Sequence, residues 1–215
     1  MKLPAVALVE TLLVARPLLG ACPLLGACLL LGACASSPPL HYYTLTGMPA
    51  PSRLTVPPDS VAVRIDRVTI PTELDRSQIV RRLDATQLQI VENDRWAAPL
   101  DETIRRVLSD DLAARLPPGT VANPNEPSSG EKRQSLAVDI SEFYGDPTCT
   151  VTLRASWTLK QSGSQSLHGD EETKGSAPGG CTGAGTIPAA MSQALGQLSD
   201  LIAAAVSGSG VRRAQ

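Results

Sequence analysis

Apolar and polar positions alternate along much of the chain, and the breaks in that alternation mark its elements. Tyr42-Tyr43-Thr44-Leu45 is a short β-type run, and Val61, Val63 and Ile65 occupy one face of a second strand. Past Asp66-Arg67 the apolar phase slips to Val68 and Ile70, as a β-bulge would make it do. Ile79–Leu83 and Gln87–Val91 predict a hairpin around Asp84-Ala85-Thr86. The period then changes. From Pro99 onward Leu100, Ile104, Val107, Leu108, Leu112 and Leu116 recur at spacings of three and four, which predicts an amphipathic helix. Pro99 suits its first turn, Asp101 and Glu102 complement its positive end and Arg115 its negative end, and Pro117-Pro118-Gly119 stops it.

A loop rich in Pro, Asn, Ser and Gly covers 120–134, after which Leu136, Val138 and Ile140 alternate toward Phe143-Tyr144. Val151, Leu153, Ala155, Trp157 and Leu159 form a strict apolar face opposite Thr152, Arg154, Ser156, Thr158 and Lys160, so one side of that strand is solvated. Gln161–Ser164 makes the turn. Gln165–Lys174 returns as a polar edge strand, a candidate for strand addition between subunits. A Gly-rich loop, 175–185, precedes a helix from Pro188 to Val206 with Met191, Leu195, Leu198, Ile202 and Val206 on its stripe, and 208–215 is a flexible tail. This order predicts a single α+β domain over 41–207, with two main helices packed on a largely antiparallel sheet.

The N-terminal segment follows a different logic. Pro17–Ala33 is an uncharged, Leu-rich run after Arg16, and Leu-Leu-Gly-Ala-Cys occurs three times, ending at Cys22, Cys28 and Cys34. Each copy fits a bacterial lipobox: small residues precede a thiol that takes a diacylglyceryl group and, after cleavage, exposes an amine for further acylation. A signal core needs roughly 7–15 apolar residues. Cleavage at the first two copies leaves Leu-rich sequence on the mature chain, so Cys34 is the lipidation site and 1–33 the signal peptide. Residues 34–40 are then the lipidated Cys and a linker. An uncleaved membrane span would need about 20 apolar residues, and this run is shorter and holds Pro17 and Pro23. Glu10 is foreign to such a leader. Val14 read as an alternative start gives a short basic region at Arg16 followed directly by the apolar run. Ala35 lacks the Asp that retains lipoproteins at inner membranes, which points to the periplasmic side of the outer membrane.

Composition narrows the function. The 19 Lys+Arg and 21 Asp+Glu of the 215 residues leave a net charge of −2, with no surplus to attract nucleic acid. One Phe, two Trp and three Tyr leave little for stacking platforms, and two histidines leave little for metal or acid–base chemistry, so an enzyme is not favoured. His41 sits beside the linker and His168 in the polar edge strand. No Gly-x-Ser-x-Gly elbow occurs, and Gly179–Gly185 matches neither phosphate-binding fingerprint. Trp96 and Trp157 are core candidates before they are a lipid groove, and Arg81-Arg82 and Arg105-Arg106 are solvated pairs. If 149–160 and 166–177 pair about a turn near residue 163, Cys149 falls near residue 177, close to Cys181. A disulfide suits an oxidising compartment, the alternative being two buried free thiols.

Several of these segments together resemble one family. They are Tyr42-Tyr43-Thr44-Leu45 soon after a lipidated Cys, Val68-Thr69-Ile70-Pro71, Arg95-Trp96-Ala97-Ala98-Pro99-Leu100-Asp101, Leu116-Pro117, and Glu142-Phe143. The chain resembles the PqiC/YmbA family of ABC-type transport auxiliary lipoproteins, with the Trp-Ala-x-Pro-Leu signature opening the first helix. The resemblance implies a periplasmic lipoprotein serving a Pqi/Mce-type lipid-transport system and docking an envelope-spanning Mce-domain (PqiB-like) protein, with a homo-oligomeric ring as one arrangement. It implies no cofactor, metal or catalytic residue. The rival readings are a carrier with its own lipid cavity and an envelope hydrolase.

Overall fold

In the computed structural model the described residues are 38–57, 61–123, 133–160, 166–177, 181, 183 and 185–208. From Leu40 onward the chain clusters as one unit. Its elements are β1 (His41–Tyr43), β2 (Val63–Thr69), a short 3-10 turn (Thr72–Leu74), β3 (Gln78–Arg82), β4 (Leu88–Trp96), α1 (Leu100–Arg115), β5 (Gln134–Gly145), β6 (Thr150–Lys160), β7 (Ser166–Ser176) and α2 (Thr186–Val206).

The sheet is organised around β5. On one side it pairs antiparallel with β6, and β6 with β7. On the other side it carries two shorter strands end to end. β2 lies alongside its first half, with Val63 opposite Gln134 and Thr69 opposite Asp139, and β3 meets its far end, Arg81 opposite Gly145. β3 continues antiparallel into β4, and β1 adds to β4 in parallel, giving the order β1-β4-β3-β5-β6-β7 with β2 on β5. The sheet is therefore mixed: its long pairings, β5–β6, β6–β7 and β3–β4, are antiparallel as expected, and the shorter pairings of β1 with β4 and of β2 and β3 with β5 are parallel. Alternation reports which face of a strand is buried, not which way it runs. Direction follows from connections, and α1 carries the chain across so that β5 returns parallel to β3.

Other elements fall close to their expected bounds. The bulge at Asp66 appears as a register shift between Ile65 and Arg67. β6 and β7 pair Thr150 with Ser176 and Lys160 with Ser166. α1 begins right after Pro99, and α2 begins two residues before Pro188. β4 runs on to Trp96 rather than ending at Val91, because a register irregularity lets Gln78 pair with Arg95. The polar run Glu92-Asn93-Asp94-Arg95 conceals that extension from any apolar pattern.

Both helices take part in one core. Ile104, Leu108 and Leu112 of α1 and Leu195, Leu198 and Ile202 of α2 are fully buried with Leu136, Val138, Val151, Leu153 and Leu159 of the sheet. Trp96 and Trp157 belong to the same cluster. α2 docks hard against β7. The Thr173 hydroxyl donates to the Ala194 carbonyl at 2.8 Å, and Gly175 lies directly beneath the Ala190 carbonyl, where a side chain has no room. The outward groups of β7 at this end are taken up: Ser176 N–H donates to Gln193 and Gln197 donates to the Lys174 carbonyl, both at 2.8 Å. Helix side chains thus blunt the last turn of an edge strand.

Candidate functional site

Residues 44–57 carry no strong periodicity, yet they are strapped across both helices by polar side chains and one main-chain carbonyl that the helices present. The Met48 N–H donates to Asp111 Oδ1 at 2.7 Å, Thr46 N–H to Ser192 Oγ at 3.1 Å, and Leu54 N–H to the Arg115 carbonyl at 2.7 Å. Arg115, only 2% exposed, fills the space below. Its Nε donates to Asp200 at 2.6 Å, and its terminal nitrogens reach the carbonyls of Asp111 (3.0 Å), Gly196 (3.1 Å) and Met48 (3.3 Å). Asp111 lies 3.5 Å away and also accepts from Ser199. Burial pushes the Asp111 carboxyl above its usual range, outweighing the Met48 N–H, Arg115 and Ser199, which pull it down. Sequence reasoning missed this clamp. Arg115 reads as a helix-end cation, but Asp111 and Arg115 share the apolar stripe of α1, and two polar residues on a buried stripe were the available signal.

The β1 end of the sheet holds a second cluster. His41 Nδ1 lies 3.2 Å from Asp94 Oδ1, and burial together with Asp94 raises the Tyr43 phenol. Next to it is a cavity of about 310 Å³ lined by Ile79, Arg81, Val91, Asp94, Cys149, Cys181, Gly183 and Ile187. The structure joins Cys149 to Cys181, with their Cα atoms 5.3 Å apart. Cys149 stands in the left-handed region (φ 59°), held by a turn in which Asp146 accepts the N–H groups of Thr148 and Thr150. The bridge ties the β5–β6 turn to the segment entering α2.

The face of the sheet away from the helices is charged. Glu142 sits between Arg82 (3.5 Å) and Arg154 (3.3 Å), and Arg154 bonds Glu172 at 2.9 Å. These pairs are open to water, worth at most about 1 kcal/mol each. Arg82 also stacks 4.7 Å over Tyr144, whose hydroxyl donates to Glu73 at 2.6 Å. That bond holds the Glu73 carboxyl below its usual range, while burial, then Glu73, raises the tyrosine.

The structure does not assemble the remaining candidates into one site. His168 bonds Thr158 on the exposed edge, far in the sheet order from His41. Arg106 contacts Asp110 and Thr44. Among the described residues no group of His, Cys, Asp or Glu is arranged to hold a metal, and no helix is long and apolar enough to cross a membrane. Cys34 and residues 178–180 lie outside the described residues.

Fold and surfaces thus define an α+β domain that offers its surroundings sheet edges and a charged sheet face. The profile of the family described as "ABC-type transport auxiliary lipoprotein component" matches residues 43–203, and the chain belongs to that family. It is 28% identical over 123 residues to the "Intermembrane transport lipoprotein PqiC" of Escherichia coli (strain K12) and to that of Shigella flexneri. Each match covers 57% of this chain and 64% of the relative's length. A crystal structure of an uncharacterized protein is similar over 79% of this chain and 100% of its own, with a TM-score of 0.64 and 25% identity. A Xanthomonas campestris protein matches in fold over 80% of this chain and 97% of its own, with a TM-score of 0.58 and 18% identity. The family read from the Tyr42-Tyr43 and Trp96–Leu100 segments is the family the comparisons show.

Proposed function

We propose that the protein is an outer-membrane-anchored periplasmic lipoprotein, held by acyl chains on Cys34, that acts as an auxiliary component of an intermembrane lipid-transport system and docks its envelope-spanning Mce-domain protein. The family match over residues 43–203 carries this reading. The exposed β7 edge from Ser166 to Glu172 and the charged face beside it are the surfaces available for subunits or partners, and a ring of copies is one way to use them. Pull-down of the intact lipoprotein from solubilised envelopes tests the docking: recovery of the Mce-domain protein supports it, and its consistent absence rejects it. A lipid carrier is poorly served by the cavity beside the disulfide. Its volume lies at the low end of the roughly 300–1,000 Å³ typical of ligand pockets, and Arg81 and Asp94 stand in its wall.

Cys34→Ser moves the protein from the membrane pellet to the soluble fraction and leaves its mass without acyl groups, because stable anchoring depends on the acyl chains. Wild-type-like sedimentation of that variant would contradict the anchor. The Cys149–Cys181 disulfide forms in the oxidising periplasm, and the double variant Cys149→Ala/Cys181→Ala loses about 2–4 kcal/mol of unfolding free energy. Urea titration with and without reductant checks this, since reductant should shift the wild-type midpoint but not the double variant's.

A further inference from the structure

We infer that the face turned away from the helices at the β1–β4 end of the sheet rests on the bilayer that holds the lipid of Cys34, an inference that depends on the lipidation proposed above. The large apolar side chains exposed among the described residues are Leu40 (44%), Tyr42 (62%), Leu88 (37%) and Ile90 (40%), and all four belong to this end. Three of them share a face. Tyr43 pairs with Trp96 and its ring lies beside Gly185 at the start of α2, so Tyr42 points away from the helices. Ile90 pairs with Val80, itself buried, and Leu88 with Arg82, which lies over the buried Tyr144 and against Glu142 on the charged face away from the helices.

The tether fixes the occupant. β1 is parallel to β4, with His41 opposite Asp94, so the chain enters β1 from the Leu88 side. The seven steps from Cys34 to His41 span at most about 25 Å. The six steps from Asp94 back to Leu88 span about 20 Å. The lipid can therefore never lie much further from β1 than the hairpin is long.

The chemistry suits a lipid surface. An aromatic ring with a polar tip belongs at headgroup depth. Arg95, opposite Tyr42 in register, has no carboxylate within salt-bridge distance among the described residues, which leaves its guanidinium for phosphate. Of the acids on β4, Asp94 is engaged with His41, and Glu92 is exposed in the same alternation as Leu88 and Ile90, a single carboxylate bordering the patch. Because the tether already supplies a high local concentration, a weak contact is enough to orient the domain.

Brominated-lipid quenching tests this on the full lipidated chain in phosphatidylethanolamine/phosphatidylglycerol vesicles. L88W and I90W report on this end, and H168W, on the opposite edge, is the reference. Vesicle sedimentation comes first: a protein that fails to sediment overturns the anchor itself. With sedimentation intact, loss of the added emission of L88W and I90W but not of H168W supports the inference. Equal quenching at all three sites overturns it, as does emission at positions 88 and 90 that only a bound protein partner shields.

Discussion

Arg115→Ala is expected to lower the unfolding free energy by about 3–5 kcal/mol, the usual cost of removing one partner from a buried charge pair. The variant removes an Asp200 bond and three carbonyl bonds, and it leaves Asp111, 1% exposed, without its cation. The loss depends on pH with a definite sign. Burial already raises the Asp111 carboxyl in the folded protein, and losing Arg115 raises it further. A carboxyl raised above its unfolded value near 3.9 contributes stability below that pH and loses it as pH climbs through the folded value. The gap between wild type and variant should therefore be narrow near pH 4 and widen toward pH 7. Urea midpoints across that range measure it. A gap that stays constant with pH would show that the guanidinium acts by filling space alone.

Why this clamp was invisible in the sequence while the strands around it were plain is a matter of what periodicity encodes. Val151 to Leu159 alternate because one side faces helices and the other water, so the β6–β7 register and the position of Cys149 near Cys181 followed from counting about one turn. The apolar stripe of α1 likewise fixed its bounds. Strand direction has no such signature, and β2 and β3 gave no hint that both run parallel to β5. Polar residues that bind backbone are equally silent. Asp111, Ser192 and Ser199 hold the strap at Thr46 and Met48 through single bonds spanning 63 to 146 residues of sequence, or support those bonds. The proposed anchor is the reverse case: it rests on Leu-Leu-Gly-Ala-Cys, three times repeated in the sequence, and on no feature of the described fold.

The second large effect is expected at a residue with no side chain. Gly175 pairs with Val151 on the helix-facing side of β7, and a Cβ built there would drive into the Ala190 carbonyl oxygen and crowd the Ala194 nitrogen of α2. Both obstacles are backbone in the middle of a 21-residue helix, so no rotamer change relieves them. Relief requires lifting α2 from the sheet, which would break the Thr173–Ala194 bond and the Gln193 and Gln197 caps on β7 and open the core around Leu195 and Leu198. Gly175→Val should therefore cost about 3 kcal/mol or more, beyond ordinary overpacking, because the neighbour cannot repack. β-propensity argues the other way, since Val is the better strand former by up to about 1 kcal/mol. The sign of the measured change thus decides between them. A thermal midpoint at or above wild type would mean that α2 leaves room for a side chain above Gly175. A fall reproduced by Gly175→Ala, whose single methyl group meets the same carbonyl, would confirm the close approach.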